Sequence, residues 1–176
     1  MTPSSKNNSG IRPQYVPILP RHDLYLFHVG GDAQKFVAAF RRTWCQMPVW
    51  ARRTLLKHWR RTRPALLTSP ACHWPSIELV PLKSDFECGN SGDALAQTKA
   101  NGSEFAFLSG GTDQLPESAV EAVIAHELAH AIHFIKDRDG HLAGRQADVF
   151  GFSQAEFDAD ETAESWGFDM EFKRGE

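Results

Sequence analysis

Cysteine is scarce in this chain, with three among 176 residues: Cys45, Cys72 and Cys88. An odd, scattered set without a C-x-x-C pair argues against a disulfide framework and leaves no cysteine zinc ribbon. Reduced thiols in a cytoplasmic protein fit best. Cys72 beside His73 reads as a buried thiol next to a loop histidine, not a nucleophile pair. Long apolar runs are missing too. Nothing approaches the roughly 20 residues of a membrane span, so no membrane partner is expected. Residues 1–20 are Ser/Asn/Pro-rich and lack the apolar stretch of a signal peptide, so they read as a flexible tail. Residues 21–176 are enough for one domain with a full core. Tyrosine is rare, and none follows Tyr25.

Charge is not scarce but it is segregated. Residues 1–64 carry 12 Lys/Arg against 2 Asp/Glu, whereas residues 65–176 carry 7 against 20, giving +10 and −13 within a net −3. The basic block centres on Arg41-Arg42, Arg52-Arg53, Lys57 and Arg60-Arg61-x-Arg63. Such a block can be a nucleic-acid footprint. Its interleaving with Trp and Leu at helical spacing favours the other reading, solvated faces of amphipathic helices that dock on the acidic half.

The elements follow from periodicity and punctuation. Asp32 to Trp44 is a predicted helix with Asp32 as N-cap and an apolar stripe of Phe36, Val37, Phe40 and Trp44. Pro48 to Arg63 is a second, with Trp50, Leu55, Leu56 and Trp59 supplying apolar contacts. Ile77 to Val80 is a short strand, residues 83–103 are turns and a hairpin, and Glu104 to Ser109 is the clearest strand. A long helix runs from about Pro116 to Ile135, with Ser118 and Glu121 at capping-box spacing. Residues 137–151 read as loop. Ser153 precedes a last helix, Gln154 to about Trp166, that Gly167 ends; Glu156 there stands at the capping-box position. The expected class is α+β: a helix packed on a short mixed sheet, with additional N-terminal helices.

The long helix carries His126-Glu127-Leu128-Ala129-His130. Histidines four apart share one helix face and can share one metal ion, with the intervening glutamate as general base. A chance match at this composition has a probability on the order of a few per cent. On a helical wheel Val120, Ile124, Leu128, Ala131 and Ile135 form a core arc. His126, His130 and His133 lie opposite it, beside Ala122 and Ala129, which would let another element approach closely.

Two histidines do not complete a catalytic zinc site; three protein ligands and an open position do. Glu156 on the last helix can be the third, with Asp160 one turn on, able to accept the free ring N–H of a ligating histidine. His141, eleven residues after His130, is the alternative. A third arrangement, the metzincin one, wants Gly and His or Asp where this chain has His133 and Lys136, and is excluded.

His126-Glu-Leu-Ala-His130 with Glu156-x-x-x-Asp160 resembles the gluzincin group of zinc metallopeptidases, most of all the small minigluzincin-like proteins. The resemblance covers about residues 104–167. It implies a zincin-like fold and a Zn2+ ion bound by His126, His130 and Glu156. It also implies Glu127 as general base on a zinc-activated water, Asp160 as the residue orienting a ligand, and a peptide or protein substrate held extended along the strand Glu104–Ser109. Gluzincins usually add a Tyr or His to stabilise the oxyanion. With no Tyr after Tyr25, His141, His133 or Arg145 would have to serve. His126-Glu-Leu-Ala-His130 followed by His141 also resembles the SprT-like metalloproteases, which act on DNA-bound proteins and would use the basic helices toward nucleic acid. A zinc-stabilised binding module without activity is the remaining expectation.

Overall fold

The computed structural model describes residues 14–64, 73–81, 95–99, 101–146 and 153–171. It is an α+β fold of six helices and a five-stranded mixed sheet. The strands are β1 (Gln14–Leu19), β2 (Leu24–His28), β3 (Ser76–Val80), β4 (Ala96–Thr98) and β5 (Glu104–Leu108), in the order β1-β2-β3-β5-β4. β2, β3 and β5 run parallel, while β1 and β4 lie antiparallel at the two edges. Side-chain alternation with period two gives the sheet one core face. Leu26 registers with Ile77, Ile77 with Phe105 and Leu79 with Phe107, and all of them are buried.

Helices α1 (Ala33–Gln46) and α2 (Val49–Thr62) lie where the apolar stripes predict them. Asp32 caps α1 by accepting from the Lys35 backbone N–H at 2.9 Å. Phe36 of α1 meets Phe107 at 4.8 Å between ring centroids, and Trp59 of α2 meets Phe105 edge-on at 6.1 Å. Trp44 and Trp59 stack at 5.9 Å, so these tryptophans are core anchors. The Trp59 Nε1–H donates to the carbonyl of Gly102, a left-handed residue (φ 62°) in the β4–β5 turn. The expected hairpin is this β4–β5 pair.

The remaining helices are α3 (Ser109–Thr112), α4 (Glu117–Lys136), α5 (Arg138–Gly144) and α6 (Gln154–Ser165). α4 is the axis of the structure, in contact with α1, α2, β4, α5 and α6. Every residue from Ala122 to Ile132 is buried, including His126 and His130. The wheel's core arc is therefore only one of its packed faces. α6 lies against the other with Ala155, Ala159 and Ala163, a stripe of alanines at i, i+4, i+8 that keeps the two helices close.

Four expectations are corrected. Residues 14–19 form an edge strand paired with β2, so the tail reading fails there; residues 1–13 lie outside the described residues. Ser118 does not cap α4. Pro116 stands at the N-cap, and Glu121 instead accepts from Arg42 Nε, while Arg42 Nη2 reaches Glu117 at 2.8 Å. Residues 138–144 are helix α5 rather than loop, because the Asp137 carboxylate accepts from the Gly140 N–H at 3.0 Å and caps a turn. At α6, Ser153 makes no side-chain cap; its hydroxyl donates to Gly144 O at 2.9 Å, and Glu156 points elsewhere. A Cβ at Gly144 would lie 3.3 Å from the Ala155 nitrogen, so the two helices approach by way of that glycine.

The charge segregation has a structural use in α1. Arg42 joins α1 to the acidic first turns of α4, Arg41 donates to Ile18 O and Pro17 O, and Lys35 Nζ donates to the carbonyls of Thr112, Asp113 and Leu115. Arg53, Lys57, Arg60 and Arg61 of α2 face solvent. Among the described residues no helix is long and apolar enough to cross a membrane. Cys45 is exposed and unpaired, whereas Cys72 and Cys88 lie outside the described residues.

Close approach of α6 depends on side-chain size. Ala163→Leu forces extra volume into a fully buried position. It is expected to destabilise the protein by about 1–3 kcal/mol, read as a lowered urea midpoint at unchanged slope.

Candidate metal centre

The site forms where the middle of α4 faces the first turns of α6. On α4 the i, i+4 spacing stacks His126 and His130, and their rings meet edge-to-face at 4.5 Å between centroids. On α6 the same spacing stacks Glu156 and Asp160. The result is a triangle of three ligand-type atoms. His126 Nε2 lies 3.0 Å from His130 Nε2, and the two Glu156 carboxylate oxygens lie 3.1 Å from one ring nitrogen each. Three groups of this kind so close together can hold a metal ion.

The hydrogen-bond pattern says which atoms face the centre. Asp160 Oδ1 lies 2.7 Å from His126 Nδ1 and accepts its proton, which leaves the Nε2 lone pair directed into the triangle. A carboxylate behind a ligating imidazole is the usual support of a metal-bound histidine. Burial alone would raise the Glu156 carboxyl, but the contacts from His126 and His130 outweigh it and hold the group well below the usual carboxylate range. An ionised carboxylate and the lone pairs of imidazole nitrogens cannot stabilise one another at 3.0–3.1 Å without a shared proton or cation. A tetrahedral zinc with ligands at about 2.0–2.1 Å sets them roughly 3.3 Å apart, so a few tenths of an ångström of spreading admits it. The donor set, two nitrogens and one oxygen, therefore fits zinc and leaves a fourth position open.

Glu127 is buried, at 5% exposure, between the two histidines in sequence but turned toward the sheet. The Thr98 hydroxyl donates to its carboxylate at 2.6 Å and lies 2.9 Å from its backbone carbonyl. Thr98 closes the edge strand β4, and its own carbonyl accepts from Arg145 Nη1 at 2.9 Å. Sequence reading missed Thr98 because a three-residue strand in a turn-rich stretch leaves no periodic signal.

His141 is buried but outside the triangle, its ring centroid 5.3 Å from that of His130 and 6.2 Å from that of His133. Burial, with His130 and Arg145 nearby, pushes its imidazole down to about 4, so it is neutral at neutral pH. His133 turns to Thr162, 2.8 Å from the hydroxyl, and burial lowers its pKa too. His130 Nδ1 is buried without a partner among the described residues. Neither the family models, nor the curated proteins, nor the solved structures compared with this chain match it.

Zinc at about 100 times its Kd should raise the unfolding free energy by about 2.7 kcal/mol. Calorimetric melts with zinc and with EDTA read this. Glu156→Ala should lose the shift by weakening zinc more than the about 10–100-fold typical of losing an outer partner, while His141→Ala should keep it. The reverse pattern would move the third ligand to His141.

Proposed function

We propose that this protein is a zinc metallopeptidase of the gluzincin kind, with His126, His130 and Glu156 as ligands. The observation that carries this reading is the three-atom triangle with Asp160 behind His126 and a buried carboxylate, Glu127, next to the first ligand. Bound zinc supplies Lewis acidity, which acidifies water and polarises a carbonyl. Everything else falls to the protein. Glu127 takes the proton of the attacking water and delivers it to the leaving amine. Thr98 fixes the Glu127 carboxylate through a single short hydrogen bond, and so sets the direction of that transfer.

The strand expected to hold substrate is corrected. β5 is paired on both sides, with β3 along Ser76–Val80 and with β4 along Ala96–Thr98, so it has no edge to offer. The edge belongs to β4, which has no further strand partner among the described residues. An extended peptide added to β4 runs past Thr98 and hence past Glu127. That geometry supports a peptide bond as the substrate group. Arg145, at the end of α5, donates to the Thr98 carbonyl at 2.9 Å, and His141 lies on the same helix. A neutral His141 can offer one N–H to a developing oxyanion.

The Glu156 ligand set favours this reading over the SprT-like one, in which His141 would ligate and α2 would serve nucleic acid. In the test, wild type and Glu127→Gln are loaded with zinc and assayed on a mixed peptide library by mass spectrometry. Loss of proton transfer should lower hydrolysis by about 10²–10⁴-fold with zinc content unchanged. Asp160→Ala should instead weaken zinc about 10–100-fold and restore activity when zinc is raised. Zinc at full occupancy with no Glu127-dependent cleavage would make the protein a zinc-stabilised binding module.

A further inference from the structure

Away from the metal centre, a cleft of about 260 Å³ opens between the turn at Pro20–Leu24 and one face of α2. Its apolar floor is chiefly Leu56, which is partly exposed; Leu24, Trp59 and Pro75 also border the cleft but are buried and offer it little surface. Trp74 forms a wall. Both indole N–H groups are already used inside the protein, Trp59 on Gly102 O at 2.9 Å and Trp74 on the Thr62 hydroxyl at 3.2 Å. Trp74, which is partly exposed, therefore presents ring surface to the cleft.

The rim has the opposite character. Arg21, Arg60 and Arg63 stand around it, against one carboxylate, Asp23. Among the described residues Asp23 pairs with Arg63, at 3.8 Å with both side chains more than half exposed, a contact of little energetic weight. Three arginines thus line the cleft with one loose counter-charge. Asp23 also has φ 58°, the one non-glycine in the left-handed region among the described residues. Uncommon backbone of this sort concentrates at ligand sites.

We infer that this cleft binds a small organic anion, a carboxylate or phosphate carried on an apolar, ring-sized body. The guanidinium fork matches either anionic group in bidentate fashion. The volume falls just under the roughly 300–1,000 Å³ of small-molecule sites, which suits one ring and one anionic group. A nucleic-acid strand fits less well, because the binding surface is concave and the Asp23 carboxylate stands on its rim. The inference is independent of the metal centre.

Isothermal titration of the full chain with phenyl phosphate, benzoate and inorganic phosphate tests it. At least one aryl anion should bind saturably, about tenfold or more tighter than inorganic phosphate, because only it fills the apolar floor. The tighter of the two aryl anions identifies the anionic group. Arg60→Gln and Arg63→Gln should each weaken binding about tenfold, the value of a charge-assisted hydrogen bond. Arg53→Gln removes the same charge from α2 outside the cleft and should change binding less than about twofold. No saturation below about 10 mM would overturn the inference, as would equal binding of inorganic phosphate or equal loss in Arg53→Gln. Binding of a single-stranded oligonucleotide that depends on Arg60, with neither aryl anion bound, would replace it with a nucleic-acid surface.

Discussion

Two imidazoles buried on a helix that is packed on every side are the constraint on which the rest of this structure depends. His126 and His130 are each 4% exposed, on a helix otherwise lined with Ala, Val, Ile and Leu. A buried polar ring without partners costs several kcal/mol at the least favourable reference. Something must therefore face the pair. α6 does this with a carboxylate facing both Nε2 atoms and another on the Nδ1 of His126. The alanine stripe of α6 and the Gly144 contact follow from that requirement, because larger side chains would hold the two carboxylates out of reach.

The same constraint organises the basic half of the chain. α4 can be buried around its whole circumference only if its first turns are anchored, since Glu117 and Glu121 are acidic where α1 crosses them. Arg42 answers both. Lys35 gathers the carbonyls that end α3 and lead into α4, and Arg41 ties α1 to the edge strand β1. Part of the charge asymmetry visible in the sequence, Lys35, Arg41 and Arg42, is thus internal fastening. The part on the outer face of α2 is not used in this way. It is also the part that borders the cleft beneath Trp74.

What the sequence disclosed, and what it hid, divides along physical lines. α1, α2 and α4 were legible because an apolar period of 3.6 runs through at least three turns in each, and α6 because Ser153 and Gly167 bound it. β3 and β5 were legible as bounded apolar runs. β1 escaped because Pro17 and a Ser/Pro-rich approach mask a strand that has only one neighbour to satisfy. α5 escaped because its seven residues hold a Gly pair and little apolar content, so only the Asp137 cap reveals it. Both capping boxes were misread for one reason: Glu121 and Glu156 have stronger partners across the fold than the local N–H groups. In the site, His126, His130, Glu156 and Asp160 could be read because helical spacing brings i and i+4 together. Thr98 could not, since its contact with Glu127 spans 29 positions and no local pattern encodes it.

That long-range contact changes how the candidate site works as a unit. Zincin-like chemistry needs the general base and the substrate strand in fixed relation, a displacement of about 1 Å being enough to cost on the order of 10² in rate. In the reading proposed above, a single residue would serve both. Thr98 belongs by its backbone to the edge strand, in register with Phe105, and by its hydroxyl to Glu127. Arg145 reaches the same residue's carbonyl from the α5 side. The edge strand, the Glu127 carboxylate and the α5 end thus meet at one threonine. A hydrophobic residue of similar shape at position 98 would keep the strand but leave a buried carboxylate without its donor. Valine puts a methyl where threonine has its hydroxyl, and that hydroxyl is what joins the edge strand to Glu127 on α4.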